Sequence, residues 1–280
     1  MYRLKVADFV FGVVTSDRFK IKAFDEPFVS DDKPDITVYG HYSNKFLNLK
    51  LENKVFDSGT FWDVYKSDIK KVFVLKEPFN NNRQYCLAVF EPNYRNGDVY
   101  VLRESPDILP HPLAFPIFHL LMISLLSQGY GVLVHACGID DNGNGYLFPG
   151  SSTNGKTTMA RLWEDKAVVL NDERIVLRQN EGRIWVYGTP WHGEYEGISP
   201  HGVPLNKIFF LHHAEINNIS PMEGSSATLR LLTHCFLPYW ESDGMQFTLD
   251  FCAKLVETIR CYELGFIPDK SIIDFIRCVK

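Results

Sequence analysis

Apolar and polar residues alternate with a period of two over much of the first hundred positions. Tyr2, Leu4 and Val6 alternate with Arg3 and Lys5, and DITVYGH, KVFVLKE, YCLAVFE and DVYVLRE are short runs rich in β-branched and aromatic residues. Such runs fit strands, and turn clusters such as Asn80-Asn81-Asn82 and Arg95-Asn96-Gly97-Asp98 separate them. The pattern predicts an antiparallel, β-rich module over residues 1–110. The stretch SPDILPHP, with Pro106, Pro110 and Pro112, then breaks the periodicity and marks the expected domain boundary. The apolar run from Leu113 to Leu126 follows, and predicts a buried helix ending at Gly129.

From residue 111 onward strands and helices intermix. VLVHACGI and GYLFPG read as strands joined by the turn at 140–145, Lys156 to Trp163 as a helix, and AVVLND as a buried strand. RIVLRQNEGRIWVYG reads as a hairpin turning at Asn180-Glu181-Gly182, and KIFFLHH as a further strand. ATLRLLTHCFL, MQFTLDFCAKLVETI and SIIDFIRCV carry helical spacing, with a short strand, CYELGF, between the last two. The fold class is therefore α/β, with a second domain at 111–280 built from a mixed sheet plus helices.

Composition narrows the partners. The 280 residues are 45% hydrophobic, 22% charged and 14% aromatic, which excludes a disordered, collagen-like or coiled-coil chain. A formal charge of −5 offers no basic excess for a phosphate polymer, so no nucleic-acid partner is expected. Cys86, Cys137, Cys235, Cys252, Cys261 and Cys278 form no CxxC pair and read as reduced thiols. Asp8 interrupts the N-terminal apolar stretch, and the run at 113–126 is too short to span a bilayer, so the expectation is a cytoplasmic chain with no membrane partner.

Chemistry concentrates in one segment. Gly150, Ser151, Ser152, Thr153, Asn154, Gly155, Lys156, Thr157 and Thr158 satisfy G-x-x-x-x-G-K-[ST], between an expected strand and an expected helix. That context aims successive backbone N–H groups and the positive end of a helix at one phosphate group. Lys156 would set its ammonium against the β and γ phosphates, and the Thr157 hydroxyl would ligand Mg²⁺. The competing reading is a polar surface loop.

The next strand runs apolar from Ala167 to Leu170 into Asn171, Asp172 and Glu173. Beside a phosphate loop, Asp172 would either bind Mg²⁺ through water or accept a proton from an attacking hydroxyl, and Glu173 would complete the metal shell. A regular strand turns only one of the two toward the site, so a bend is needed for both to serve. Without the loop, the pair reads as solvated strand-end acid.

The combination of His135 on a strand, the phosphate loop, LNDERIVL and GTPWHGE at 188–194 resembles the HPr kinase/phosphorylase superfamily and its HPr-kinase-related proteins. Their nucleotide domain is like that of phosphoenolpyruvate carboxykinase. The likeness runs from about Val132 to the C-terminus, including YELGFIPDKSIIDFI, and leaves residues 1–110 without a counterpart. It implies a P-loop kinase using ATP and Mg²⁺, with Asp172 as base, His135 close to it and tuning it, and Glu194 as a metal or nucleotide ligand. The family usually has Asp-Asp where this chain has Asp172-Glu173, which argues against HPr as the substrate, and GTPWHGE is more similar to HPr-kinase-related proteins, some acting on a serine of a small peptide and others on small hydroxyl compounds. HPr kinases are oligomers, so a homo-oligomer is within the expectation.

The function these signals predict is an ATP-dependent kinase transferring the γ-phosphoryl group to a hydroxyl of a peptide, protein or small molecule. Its catalytic residues would be Asp172, His135 and Lys156, and its metal residues Thr157, Glu173 and Glu194. Two alternatives compete with it: a nucleotide-gated binding module without transfer, and carboxykinase-type chemistry on a keto acid, for which Arg161, Arg174 and Arg178 are the available carboxylate partners.

Overall fold

A computed structural model of the chain describes residues 1–19, 21–45, 51–77, 79–103, 109–151 and 154–279. Part of the proline-rich stretch, at 104–108, and Ser152 and Thr153 of the glycine-rich loop lie outside them. Among the described residues the chain is mixed α/β, mostly strand, with two mixed sheets and five α-helices. It divides into two compact units, Met1–Leu125 with Pro238–Ser242, and Leu126–Leu237 with Asp243–Lys280.

The first unit is an eight-stranded sheet of β1 (Tyr2–Val6), β2 (Phe9–Val14), β3 (Ile36–Ser43), β4 (Lys54–Asp57), β5 (Trp62–Ser67), β6 (Lys70–Glu77), β7 (Arg83–Phe90) and β8 (Asn96–Leu102). Their order is β1-β2-β3-β8-β7-β6-β5-β4. The expected antiparallel pattern is met in the β4 to β8 meander, whereas β3 lies parallel to both β2 and β8. β8 begins at Asn96, so the turn falls earlier than Arg95-Asn96-Gly97-Asp98, at Glu91 to Arg95, where the Tyr94 N–H donates to the Glu91 carbonyl at 2.9 Å. Gly97 is a strand residue because the Phe90 ring of the facing strand occupies the place of a Cβ.

The division falls after Leu125 instead of at 110/111, because α1 (Ile117–Leu126) is apolar on every side and buried throughout. Phe118 packs edge-on against Phe11, ring centroids 4.8 Å apart. The Trp240 indole donates to Ser124 Oγ at 3.1 Å, and Glu241 accepts from Tyr94 Oη and pairs with Lys71. These contacts are what make Pro238–Ser242 part of the first unit.

The second unit holds β9 (Gly131–Asp141), β10 (Asn144–Pro149), α2 (Lys156–Trp163), β11 (Val168–Asn171), β12 (Arg174–Asn180), β13 (Arg183–Tyr187), β14 (Gly202–His213), β15 (Asn218–Met222), α3 (Gly224–Leu232), α4 (Ser242–Thr258), β16 (Arg260–Phe266) and α5 (Ser271–Cys278). The pairings β10–β9, β9–β12, β12–β13, β13–β14 and β14–β10 close a ring, and β16 and β15 extend from β14. Two tight hairpins shape it, at Asn142-Gly143 and Glu181-Gly182, all four residues at positive φ, as the twist of flanking strands favours.

Alternation along β14 divides the core. Ile208 and Phe210 face a cluster with α3 and α4, while Phe209 and Leu211 face one with α2 and α5. Helical spacing predicts α3 to continue through Leu237, yet α3 stops at Leu232, a turn follows at Thr233 and His234, and Cys235 bridges Val134 of β9. Residues 131–135 of β9 pair with β12 on one side only, since β10 runs from opposite Asp141 and ends opposite Ala136. This segment satisfies the other edge, through His135 N to the His234 carbonyl at 2.7 Å and Phe236 N to the Leu133 carbonyl at 2.9 Å. All six cysteines are free thiols. Among the described residues no helix is long and apolar enough to cross a membrane.

Candidate functional site

The glycine-rich loop leaves β10 at the carboxyl end of a strand running parallel to β14, which in turn runs parallel to β16. Gly155 takes φ +94°, a region that favours glycine, and a Cβ there would come 2.6 Å from the Phe266 ring. It caps α2 without any side-chain hydrogen bond, so the first-turn amides of α2 face the loop. Lys156 opens α2 with its ammonium folded inward, donating to the carbonyls of Gly150 at 2.8 Å and Ser151 at 3.0 Å. It is 6% exposed, and burial draws its pKa below the ordinary lysine value against the opposing pull of Glu173 and Asp172. Thr158 and Asn154 sit half-buried on the same loop and helix start.

The acidic pair stands at a bend. β11 and β12 both run antiparallel to β9, and a register shift between Val169 and Asn171 precedes the break between them. The Asn171 side chain builds the bend: its Oδ1 accepts from Glu173 N at 2.6 Å and Arg174 N at 2.9 Å, and its Nδ2 donates to the Thr189 carbonyl at 2.9 Å. Thr189 Oγ1 returns a bond to the Arg174 carbonyl at 2.6 Å. The bend lets two successive carboxylates face inward with different partners.

Asp172 is 1% exposed and accepts from three donors: Thr157 Oγ1 at 2.9 Å, Gly193 N at 2.7 Å and Tyr195 N at 3.1 Å. Two of these donors come from the GTPWHGE segment and the residue after it, which wraps the carboxylate with backbone amides. Glu173 Oε2 lies 3.0 Å from His135 Nε2, and its Oε1 3.4 Å from Arg174 Nη1. The His135 hydrogen bond holds the Glu173 carboxyl below the usual glutamate range, with burial opposing. The register Arg174↔His135 of β12 against β9 sets this contact. His135 thus pairs with Glu173, whereas the resemblance implies a histidine tuning Asp172.

The predicted residues therefore meet in two sets. Lys156, Thr157 and Asp172 gather at the loop, and His135 and Glu173 sit beside them, joined through the Gly150 N bond to the His135 carbonyl at 3.4 Å. The Glu194 side chain is exposed and meets no hydrogen-bond partner among the described residues, and His192 Nδ1 lies 2.9 Å from the Gly193 carbonyl. Among the described residues no three His, Cys, Asp or Glu side chains form a metal-holding group. Mg²⁺ does not require one, because it takes one or two protein oxygens, waters and substrate phosphates. The hydroxyl and carboxylate of Thr157 and Asp172 are hard oxygen donors that fit it, whereas the Glu173 oxygens are taken by His135 and Arg174.

Sequence reasoning passed over Thr189, His234 and Phe236, gave Asn171 no role, and named Arg174 only as a carboxylate partner in the carboxykinase alternative. Arg174 places its guanidinium 5.4 Å from the Phe236 ring centroid, and burial draws its pKa down while Glu173 pulls it up. Burial first, then the charges of Arg230, His135 and Lys156, lower the pKa of His234 to about 4. No family model matches the chain, and no curated protein matches it.

Proposed function

We propose that the chain is an ATP-dependent phosphotransferase that moves the γ-phosphoryl group to a hydroxyl, on a P-loop domain of the HPr-kinase-like kind. The observation that carries this reading is the Thr157 to Asp172 hydrogen bond, which joins the end of the glycine-rich loop to the carboxylate of the adjoining strand. A surface loop has no need of a buried lysine or of a carboxylate brought from another element.

The roles follow from the geometry. The loop amides and the start of α2 would hold the β and γ phosphates, and Lys156 would release its loop carbonyls to meet them, a buried cation gaining a full anionic partner. Mg²⁺, held by Thr157 and Asp172, would neutralise charge on the transferring group. A carboxylate offers about four acceptor sites and Asp172 uses three; with the Thr157 hydroxyl turned to the metal a second site is freed, so one serves the metal shell and one the acceptor hydroxyl. In a loose transition state positioning and charge matter more than an early proton transfer, so Asp172 can orient the hydroxyl and take its proton late. The His135–Glu173 pair stands next to that position and fixes its field.

The test is transfer of label from γ-labelled ATP with Mg²⁺ to a panel of serine peptides and polyols, for the wild type and Asp172→Asn. The reading expects labelled acceptor from the wild type and a loss of at least about a hundredfold in the variant, with nucleotide affinity measured without Mg²⁺ kept. ATP that binds without labelling any acceptor would favour a nucleotide-gated binding module.

A further inference from the structure

The strand order gives the phosphate loop two different flanks. β11, which leads into Asp172, pairs with β9, β9 pairs with β10, β10 pairs with β14, and β14 pairs with β16. The Thr157–Asp172 corner is therefore tied to one side of β10, and β14 and β16 lie on the other. Neighbouring strands are about 4.8 Å apart, so the end of β16 stands about 10 Å across the sheet from the strand that carries the loop.

A continuous packed path leads from the loop onto that second flank. Leu147 of β10 is opposite Ile208 of β14, so Gly150 and Ser151 come level with Leu211 and His212. Phe209 and Leu211 face α2 and α5, and His213 falls on the same face by alternation. His213 is opposite Phe266 of β16, and their rings lie 25° from parallel with centroids 6.4 Å apart. Phe266 is 2% exposed and lies against the loop itself, since a Cβ on Gly155 would come 2.6 Å from its ring. His213 is exposed. The path thus runs from Gly155 through a buried phenyl ring to an exposed, flat imidazole held against it.

A nucleotide has two chemically different ends. In the phosphotransferase reading the transferring phosphate lies at the Thr157–Asp172 corner, so the phosphate chain follows the loop and the nucleoside leaves on the side of β14 and β16. A base of any identity gains from a planar π surface on which to stack. His213 supplies one, and its support on a buried ring reduces the side-chain freedom lost when a base settles on it. We propose that the nucleotide base stacks on His213, with Phe266 as the floor shared by that ring and the phosphate loop. The proposal rests on the phosphotransferase reading and names where the base sits in that same site.

The experiment is a calorimetric titration of the full chain with Mg·ADP and with Mg·ribose 5-diphosphate, which keeps the sugar and phosphates and lacks the base. The wild type binds Mg·ADP about tenfold or more tighter than the baseless probe. His213→Ala loses most of that ratio while its affinity for Mg·ribose 5-diphosphate stays within about twofold of the wild type, the check that the loop is folded, and His213→Phe keeps most of the ratio. Equal binding of both probes by the wild type, or an unchanged ratio in His213→Ala, overturns the stacking site and leaves the phosphotransferase reading standing. A His213→Phe protein as weak toward Mg·ADP as His213→Ala shows that the imidazole acts through charge or a hydrogen bond, and overturns stacking as well. A chain that binds neither probe overturns the phosphotransferase reading and this inference with it.

Discussion

Thr157 Oγ1 and Asp172 Oδ2 meet at 2.9 Å, although one belongs to the first turn of α2 and the other follows β11. Either residue alone is unremarkable; their meeting makes a candidate metal-holding corner. Thr157→Val keeps the shape and removes the hydroxyl, so the gain in nucleotide affinity brought by Mg²⁺ is expected to fall about 10–100-fold. Asp172→Asn loses the same gain and also leaves an amide NH₂ or a backbone N–H of Gly193 or Tyr195 without an acceptor, at a cost of about 1–3 kcal/mol. Titrations with and without Mg²⁺, paired with thermal melts, read both effects. A Thr157→Val protein that answers Mg²⁺ like the wild type would sink the corner.

Lys156 carries the opposite signature, function at the expense of stability. Burial lowers its pKa, which means that the folded state holds the ammonium less comfortably than water does. Lys156→Met is therefore expected to melt at or slightly above the wild-type temperature without nucleotide, its two freed loop carbonyls turning to solvent. It is also expected to show no rise in melting temperature with Mg·ATP, where the wild type rises. A variant that melts several degrees lower, yet still responds to Mg·ATP, contradicts both halves.

The contrast between these residues and their neighbours shows what a linear pattern can carry. The Gly155-Lys156 junction was legible because a loop and the helix it opens are contiguous in sequence, and α2 and the Asn142-Gly143 turn because their signals are local. The partner of His135 was not legible. It depends on the register of β12 against β9 across 38 residues, and a one-residue slip would turn Glu173 away. The segment after Leu232 reads as helix because Leu231 and Cys235 keep helical spacing, yet the open edge of β9 claims its backbone. Trp240 was equally hidden: an aromatic residue flanked by helical patterns gives no sign that it packs with Trp62 and Phe73 in the first unit.

Two buried histidines set the acid response. His234 and His111 both have pKa values lowered to about 4 from 6.5, with burial the largest cause in each. Between those two pH values the unfolded chain takes up a proton that the folded chain refuses, so stability falls as the pH drops through this window and levels below it. From pH 7 to pH 5 each histidine accounts for a loss of about 2 kcal/mol in this accounting. Depressed carboxyls such as Glu173 act lower, their contribution being lost only as the pH falls below the ordinary glutamate value. His234→Gln and His111→Asn, the latter keeping an acceptor for the Leu113 N–H, should each flatten the pH dependence of urea unfolding. A wild-type protein equally stable at pH 7 and pH 5 is incompatible with neutral burial of these rings.

Arg277 ties the last helix to the sheet through a pair that water cannot easily replace. Its Nε and Nη2 donate to the Asp141 oxygens at 2.8 and 2.7 Å, and its guanidinium lies 5.4 Å from the Trp163 ring centroid. The Asp141 side chain is 6% exposed and the arginine 37%, so the carboxylate is the group that suffers when the partner goes. Arg277→Ala leaves a nearly buried charge without its fork, and the expected loss, discounted for the exposed arginine, is about 1–3 kcal/mol. Arg277→Lys restores charge but neither the bidentate geometry nor the stacking, and recovers less than half of that loss. The double variant Asp141→Asn with Arg277→Ala removes the stranded charge itself, so it should be more stable than Arg277→Ala alone, a reversal that simple loss of contacts would not produce. Urea unfolding of the wild type and these three variants at pH 7 decides it, and a double variant weaker than Arg277→Ala would mean that the pair matters for packing and not for charge.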